Sequence, residues 1–99
     1  MIVELSAVPI GVGESLSSFV AKVIEVLKKE NVEYFLSPMG TSFEVESFEE
    51  LAKILEKIDR TLFDVGSPRN YYVIKIDNRA KGGRMTEKIR SVEEKLRGK

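Results

Sequence analysis

The chain has no histidine, no cysteine and no tryptophan, and glutamine is missing as well. Each absence removes a class of chemistry. Without Cys and His there is no disulfide framework, thiolate nucleophile, iron–sulfur or haem ligand set, or ordinary zinc site. Ser-His-Asp and Cys-His triads are excluded, and so is a His general base. A net charge is missing too: 16 Lys+Arg balance 16 Asp+Glu, so the chain lacks the basic surplus of a dedicated nucleic-acid binder. No apolar run approaches the roughly 20 residues that span a bilayer. Met1-Ile2-Val3-Glu4 puts an acid where a signal peptide carries basic residues. The expectation is a cytoplasmic protein with no metal, no cofactor, and neither a membrane nor a nucleic acid as partner.

What is present suits a single domain over residues 1–99, with 42% hydrophobic and 32% charged residues. Abundant Glu and Lys with no Gln lean towards a thermophilic composition. The zero charge hides an asymmetry, since residues 1–74 hold 7 basic and 12 acidic side chains and residues 75–99 hold 9 and 4. Met1–Val8 alternates as a strand and stops at Pro9 and Gly11-Val12-Gly13. Ser15 caps a helix whose apolar residues Leu16, Phe19, Val20, Val23, Ile24 and Leu27 recur at helical steps. Asn31 suits its left-handed exit. Residues 33–37 and 42–46 read as strands joined through Pro38-Met39-Gly40-Thr41. Ser47 and Glu50 form a capping box for a helix burying Phe48, Leu51, Ala52, Leu55, Ile58 and Leu62. Arg69–Arg79 is a fourth strand, Lys81-Gly82-Gly83 a flexible joint, and Met85–Leu96 a last helix with Ile89, Val92 and Leu96 on one side. The order βαββαβ plus a helix predicts an α+β, ferredoxin-like sandwich, an antiparallel four-stranded sheet with two helices on one face and an extra C-terminal helix.

The strand alternation assigns Val3, Leu5, Ala7, Phe43, Val45, Tyr72, Ile74 and Ile76 to the helix-covered face. The other face carries Ile2, Glu4, Ser6, Val8, Ser42, Glu44, Glu46, Tyr71, Val73, Lys75 and Asp77. Apolar residues there predict self-association through the sheet. Glu4, Ser6, Glu44, Lys75 and Asp77 read either as interface ion pairs or as a site for a small polar ligand rich in hydrogen-bond donors, with Tyr34, Phe35 and Tyr71 available to stack. Gly11–Ser15 lacks the Lys-Ser/Thr of a phosphate loop, and helix initiation is the better reading. No nucleophile–base pair can be assembled, and the outward aromatics of an RNA-binding sheet are lacking apart from Tyr71.

Val8-Pro9-Ile10-Gly11 with Ser15 and Ser18, Tyr34-Phe35-Leu36-Ser37-Pro38-Met39-Gly40-Thr41 followed by Glu44, and Lys75-Ile76-Asp77-Asn78-Arg79 resemble the thiamine-binding protein family. Pro-Met-Gly-Thr followed by a Glu is the most specific element. The resemblance implies a ferredoxin-like fold, dimers formed through the sheets and assembled into tetramers, and non-catalytic binding of thiamine or its hydroxymethylpyrimidine part. Carried over by position, it points to Ser6, Pro9, Ser15, Ser18, Met39, Gly40, Thr41, Glu44, Lys75 and Asp77, with Tyr34 as a stacking ring. Glu44 would accept from the aminopyrimidine, and Thr41 and Ser18 would supply further hydrogen bonds. Where the family often has Gly after that Glu and a His before the last strand, this chain has Val45, Glu46 and Pro68-Arg69-Asn70. The alternative reading is a structural or regulatory oligomerisation module with no dedicated ligand.

Overall fold

The computed structural model describes residues 1–13, 16–81 and 84–98. Its elements follow the expected order: β1 (Ile2–Pro9), α1 (Ser17–Lys29), β2 (Tyr34–Ser37), β3 (Gly40–Glu44), α2 (Phe48–Asp64), β4 (Asn70–Asp77) and α3 (Met85–Arg97). The cap expected at Ser15 and the joint expected at Gly82 and Gly83 lie outside the described residues.

Chemistry at the helix ends explains where the helices start and stop. The Ser47 hydroxyl accepts from the Glu50 N–H at 3.1 Å, and the Glu50 carboxylate accepts from the Glu46 N–H at 2.7 Å. The capping box is thus displaced by one residue, holding the N–H of Glu46 rather than that of Ser47. Helix α1 ends in Asn31 at φ 57° and α2 in Gly66 at φ 103°. Both exits close with paired backbone bonds, Asn31 N–H to Lys28 C=O with Val32 N–H to Leu27 C=O, and Gly66 N–H to Phe63 C=O with Ser67 N–H to Leu62 C=O. These satisfy carbonyls that a helix terminus would leave orphaned.

The sheet runs β2-β3-β1-β4 with every neighbouring pair antiparallel, the ferredoxin-like order. Val3, Leu5 and Phe43 are buried beneath α1 and α2, against Val23 and Leu27 of the first helix and Ile54, Ile58 and Leu62 of the second. Each such side chain contributes about 1.5–3 kcal/mol on burial. Cover thins towards β4, an edge strand. Ile74 and Ile76 lie on the helix side, paired with Leu5 and Val3, yet stay 36% and 43% exposed. Phe48 (59% exposed) and Ala52 also fall outside the core that the helical spacing predicted for them. Helix periodicity places a residue on a side, but only the neighbouring element decides whether that side is covered.

Helix α3 crosses to the opposite face of the sheet. Its first residue, Met85, is buried, while Ile89, Val92 and Leu96 are about half exposed. The Cα radius of gyration is 15.1 Å, against about 13 Å for a compact chain of 100 residues. The excess is what a partly unpacked terminal helix produces.

Candidate functional site

Strand β3 pairs with β1 only over Ile2–Leu5, whereas β4 accompanies β1 from Ile2 through Pro9. The shortfall follows from the hairpin: β2 turns through Pro38-Met39 and β3 begins at Gly40, with Ser37 opposite. The Ser37 hydroxyl donates to the Gly40 carbonyl at 2.9 Å and tightens the turn. Beyond Leu5, among the described residues, no strand therefore lies on the β3 side of β1. A cleft of about 220 Å³ fills that gap, floored by Leu5–Val8 and Thr41, closed on the hairpin side by Leu36–Gly40, and roofed by Leu16, Val20 and Val23. A Cβ on Gly40 would stand 3.1 Å from the Leu5 carbonyl oxygen, so the close approach of β3 to β1 at the mouth of the cleft requires glycine.

Of the residues expected at a site, Ser6, Met39, Gly40 and Thr41 come together here. Thr41 is buried, while Met39 is 85% exposed at the rim. Glu44, Lys75 and Asp77 lie near the other end of β1, where the register sets Glu44 and Asp77 beside Ile2 and Lys75 beside Glu4. There they are engaged with one another or with α3. The Glu44 carboxylate accepts from the Met85 N–H and lies 3.9 Å from the Arg84 guanidinium. Lys88 donates to Asp77 at 2.5 Å, and its hydrogen bond and charge hold that carboxyl below its ordinary value. Lys75 faces Glu4 at 3.8 Å. Ser18 is exposed on the first turn of α1, and Ser15 lies outside the described residues.

The expected stacking rings are also dispersed. Tyr34 packs against the core, Phe35 borders a shallow groove beside Ile89 of α3, and Tyr71 is exposed on β4. A separate polar cluster ties α2 to β4: Tyr72 donates to Asp59 Oδ1 at 2.6 Å, Asn70 to the same oxygen at 2.9 Å, and Ser67 to Asn70 Oδ1 at 2.6 Å. These bonds pull the Asp59 carboxyl below its ordinary value, while burial, then the Asp59 bond, push the Tyr72 phenol up.

The lining residues Ala7, Leu16, Val20 and Leu36 were not singled out by their chemistry, because isolated apolar residues in strands and helices read as core. Leu36 carried a usable hint, since it sits beside Pro-Met-Gly-Thr in a very short strand, and it is 60% exposed. A family model described as thiamine-binding protein matches residues 3–93. The chain belongs to the thiamine-binding protein family. A UPF0045 protein of Methanothermobacter thermautotrophicus is 41% identical over 95 residues, covering 94% of this chain and 96% of the relative. A solved structure from Methanocaldococcus jannaschii, 32% identical, superposes with TM-score 0.79 over 94% of this chain and 95% of its own. Another, a candidate thiamine biosynthesis/salvage protein of Thermotoga maritima, is 25% identical with TM-score 0.80, over 92% of this chain and 96% of its own.

Proposed function

We propose that this thiamine-binding family member holds thiamine, or its hydroxymethylpyrimidine part, in the cleft between β1, the β2–β3 hairpin and α1, without transforming it. The observation that carries this reading is the composition of that cleft. Leu16, Val20 and Leu36 offer apolar walls to the faces of a planar ring, and Thr41 and the strand backbone at Ser6 and Ala7 offer polar partners to its edge. Apolar walls with a few convergent polar groups are how small-molecule sites are ordinarily built. At about 220 Å³ the cleft is below the roughly 300–1,000 Å³ of drug-sized pockets, a scale suited to one ring. A wider groove that shares Val20, Leu36, Ser37 and Pro38 adjoins it and leaves room for the rest of a larger ligand.

In this reading Glu44, Lys75 and Asp77 anchor α3 and pair across the sheet instead of contacting the ligand. The protein works as a homo-oligomer, a dimer or a dimer of dimers in the cytoplasm. Exposed Tyr71 and Val73 on β4, with Ile89, Val92 and Leu96 on α3, supply the apolar surface for that association. Those same residues favour the rival, a purely structural oligomerisation module. Calorimetric titration and a thermal melt with thiamine separate the two. A ligand that binds only the native state adds about 2.7 kcal/mol of stability at one hundred times its Kd. An unmoved melting temperature at millimolar thiamine, with the oligomer intact, would leave the structural module as the surviving reading.

A further inference from the structure

The directions of the β1 backbone groups can be deduced from bonds at its two ends. The Met1 ammonium donates to the Val45 carbonyl at 2.8 Å, and the Val45 N–H donates to the Met1 carbonyl at 3.0 Å, so residue 1 faces β3. The Ile10 N–H donates to the Arg69 carbonyl at 2.7 Å, so residue 10 faces the β4 side. In an extended strand the N–H and C=O of one residue point to the same side, and the side alternates. Odd residues of β1 therefore face β3 and even residues face β4. The position of the Leu5 carbonyl, 3.1 Å from a Cβ on Gly40, agrees.

Leu5 is the last odd residue with a β3 partner, Thr41. Ala7 is the next, and β3 has ended. Its N–H and C=O point together towards the cleft that Ala7 lines, and neither forms a hydrogen bond among the described residues on that side. Pro9, the odd residue after it, has no N–H to offer. Ala7 thus presents one donor and one acceptor, side by side in the plane of the sheet, at the floor of the cleft. An open strand edge of this kind recruits whatever completes the ladder.

We infer that Ala7 is the specificity-determining contact, its backbone N–H and C=O reading the edge of a planar heterocycle that carries a ring-nitrogen acceptor beside an exocyclic amino donor. The inference rests on the proposed ligand class and deepens it. A 4-aminopyrimidine has that edge: its ring nitrogen accepts from the Ala7 N–H, and its amino group donates to the Ala7 C=O. The ring then continues the β1–β3 ladder by one rung, with Leu16 and Val20 on the helix side. A 4-oxo ring reverses the pattern, setting a carbonyl against a carbonyl, and a buried acceptor left without a donor is costly. The recognition needs no side chain at position 7 beyond one small enough to leave the slot open.

The test compares thiamine, pyrithiamine (same aminopyrimidine, altered cationic ring) and oxythiamine (4-oxo pyrimidine) by calorimetry. It uses the full chain and a variant in which the Ala7 amide is replaced by an ester, removing the N–H while keeping the side chain. The wild type is expected to bind thiamine and pyrithiamine alike and oxythiamine on the order of tenfold or more weakly. The ester variant should lose about tenfold for thiamine, while the Ala7 C=O that it keeps still disfavours oxythiamine. Wild-type binding of thiamine without discrimination against oxythiamine would overturn the Ala7 contact and leave the proposed function standing. Failure of the wild type to bind all three would overturn both. The ligand series on the wild type decides the question even where the ester weakens folding.

Discussion

At the scale of single residues, polar side chains tie neighbouring elements to one another. Tyr72 and Asp59 link β4 to α2 through a 2.6 Å bond in which the phenol donates to a carboxylate. Tyr72→Phe removes the donor and should lower unfolding free energy at pH 7 by about 1 kcal/mol, measured by urea titration. Because this bond lowers the folded-state pKa of Asp59, its contribution is present above the ordinary value of 3.8 and is lost as pH falls through the lower folded value. The gap between wild type and variant should therefore narrow below pH 3.8. At the other extreme, raising the Tyr72 pKa favours the protonated native state, so stability contributed there falls as pH rises above 10.0. Gly40→Ala places a methyl 3.1 Å from the Leu5 carbonyl oxygen. It should destabilise the fold by about 1 kcal/mol and weaken thiamine binding, since the strands must part at the mouth of the cleft.

At the scale of elements, each helix is held differently. Helix α2 combines a core face with a side-chain cap, so Ser47→Ala should cost about 1 kcal/mol, seen as a lower urea midpoint at unchanged slope. Ile58→Ala, at a fully buried position on the core face of α2, should cost about 2–5 kcal/mol. Helix α3 has little core of its own and is tied down by Glu44, Lys88 with Asp77, and Arg84 with Glu33. Glu44→Ala should accelerate hydrogen exchange of the Met85 amide while leaving thiamine affinity unchanged, because Glu44 is absent from the cleft lining. The capping box and the Asn31 exit were legible in the sequence, since both are local chemistry of one helix end. The role of Glu44 was not: it depends on a helix start 41 residues away in the chain.

At the scale of the molecule, the chain leaves one sheet edge and one helix face apolar. Val73 is 47% and Leu96 65% exposed, and an interface of about 1,200–2,000 Å² is what a stable assembly buries. Val73→Lys and Leu96→Lys, examined separately by sedimentation velocity, should shift the mass towards the 11.2 kDa of one chain with unchanged circular dichroism. An intact oligomer in both variants would remove β4 and α3 from the proposed interface. The sequence by itself determined the element order and the α+β class, because period-two and period-3.6 patterns and their caps are local. It also excluded thiol and imidazole chemistry, since a residue type that is missing cannot act. It grouped Ser6 with Glu44, Lys75 and Asp77 because alternation sorts residues by face and says nothing of position along the strand. Only the tertiary structure divided that group, placing Ser6 at the cleft and the charged residues near the far end. The reason is a length mismatch: β3 ends two residues short of Ala7, and that gap, absent from any one segment, opens both the cleft and the backbone edge within it.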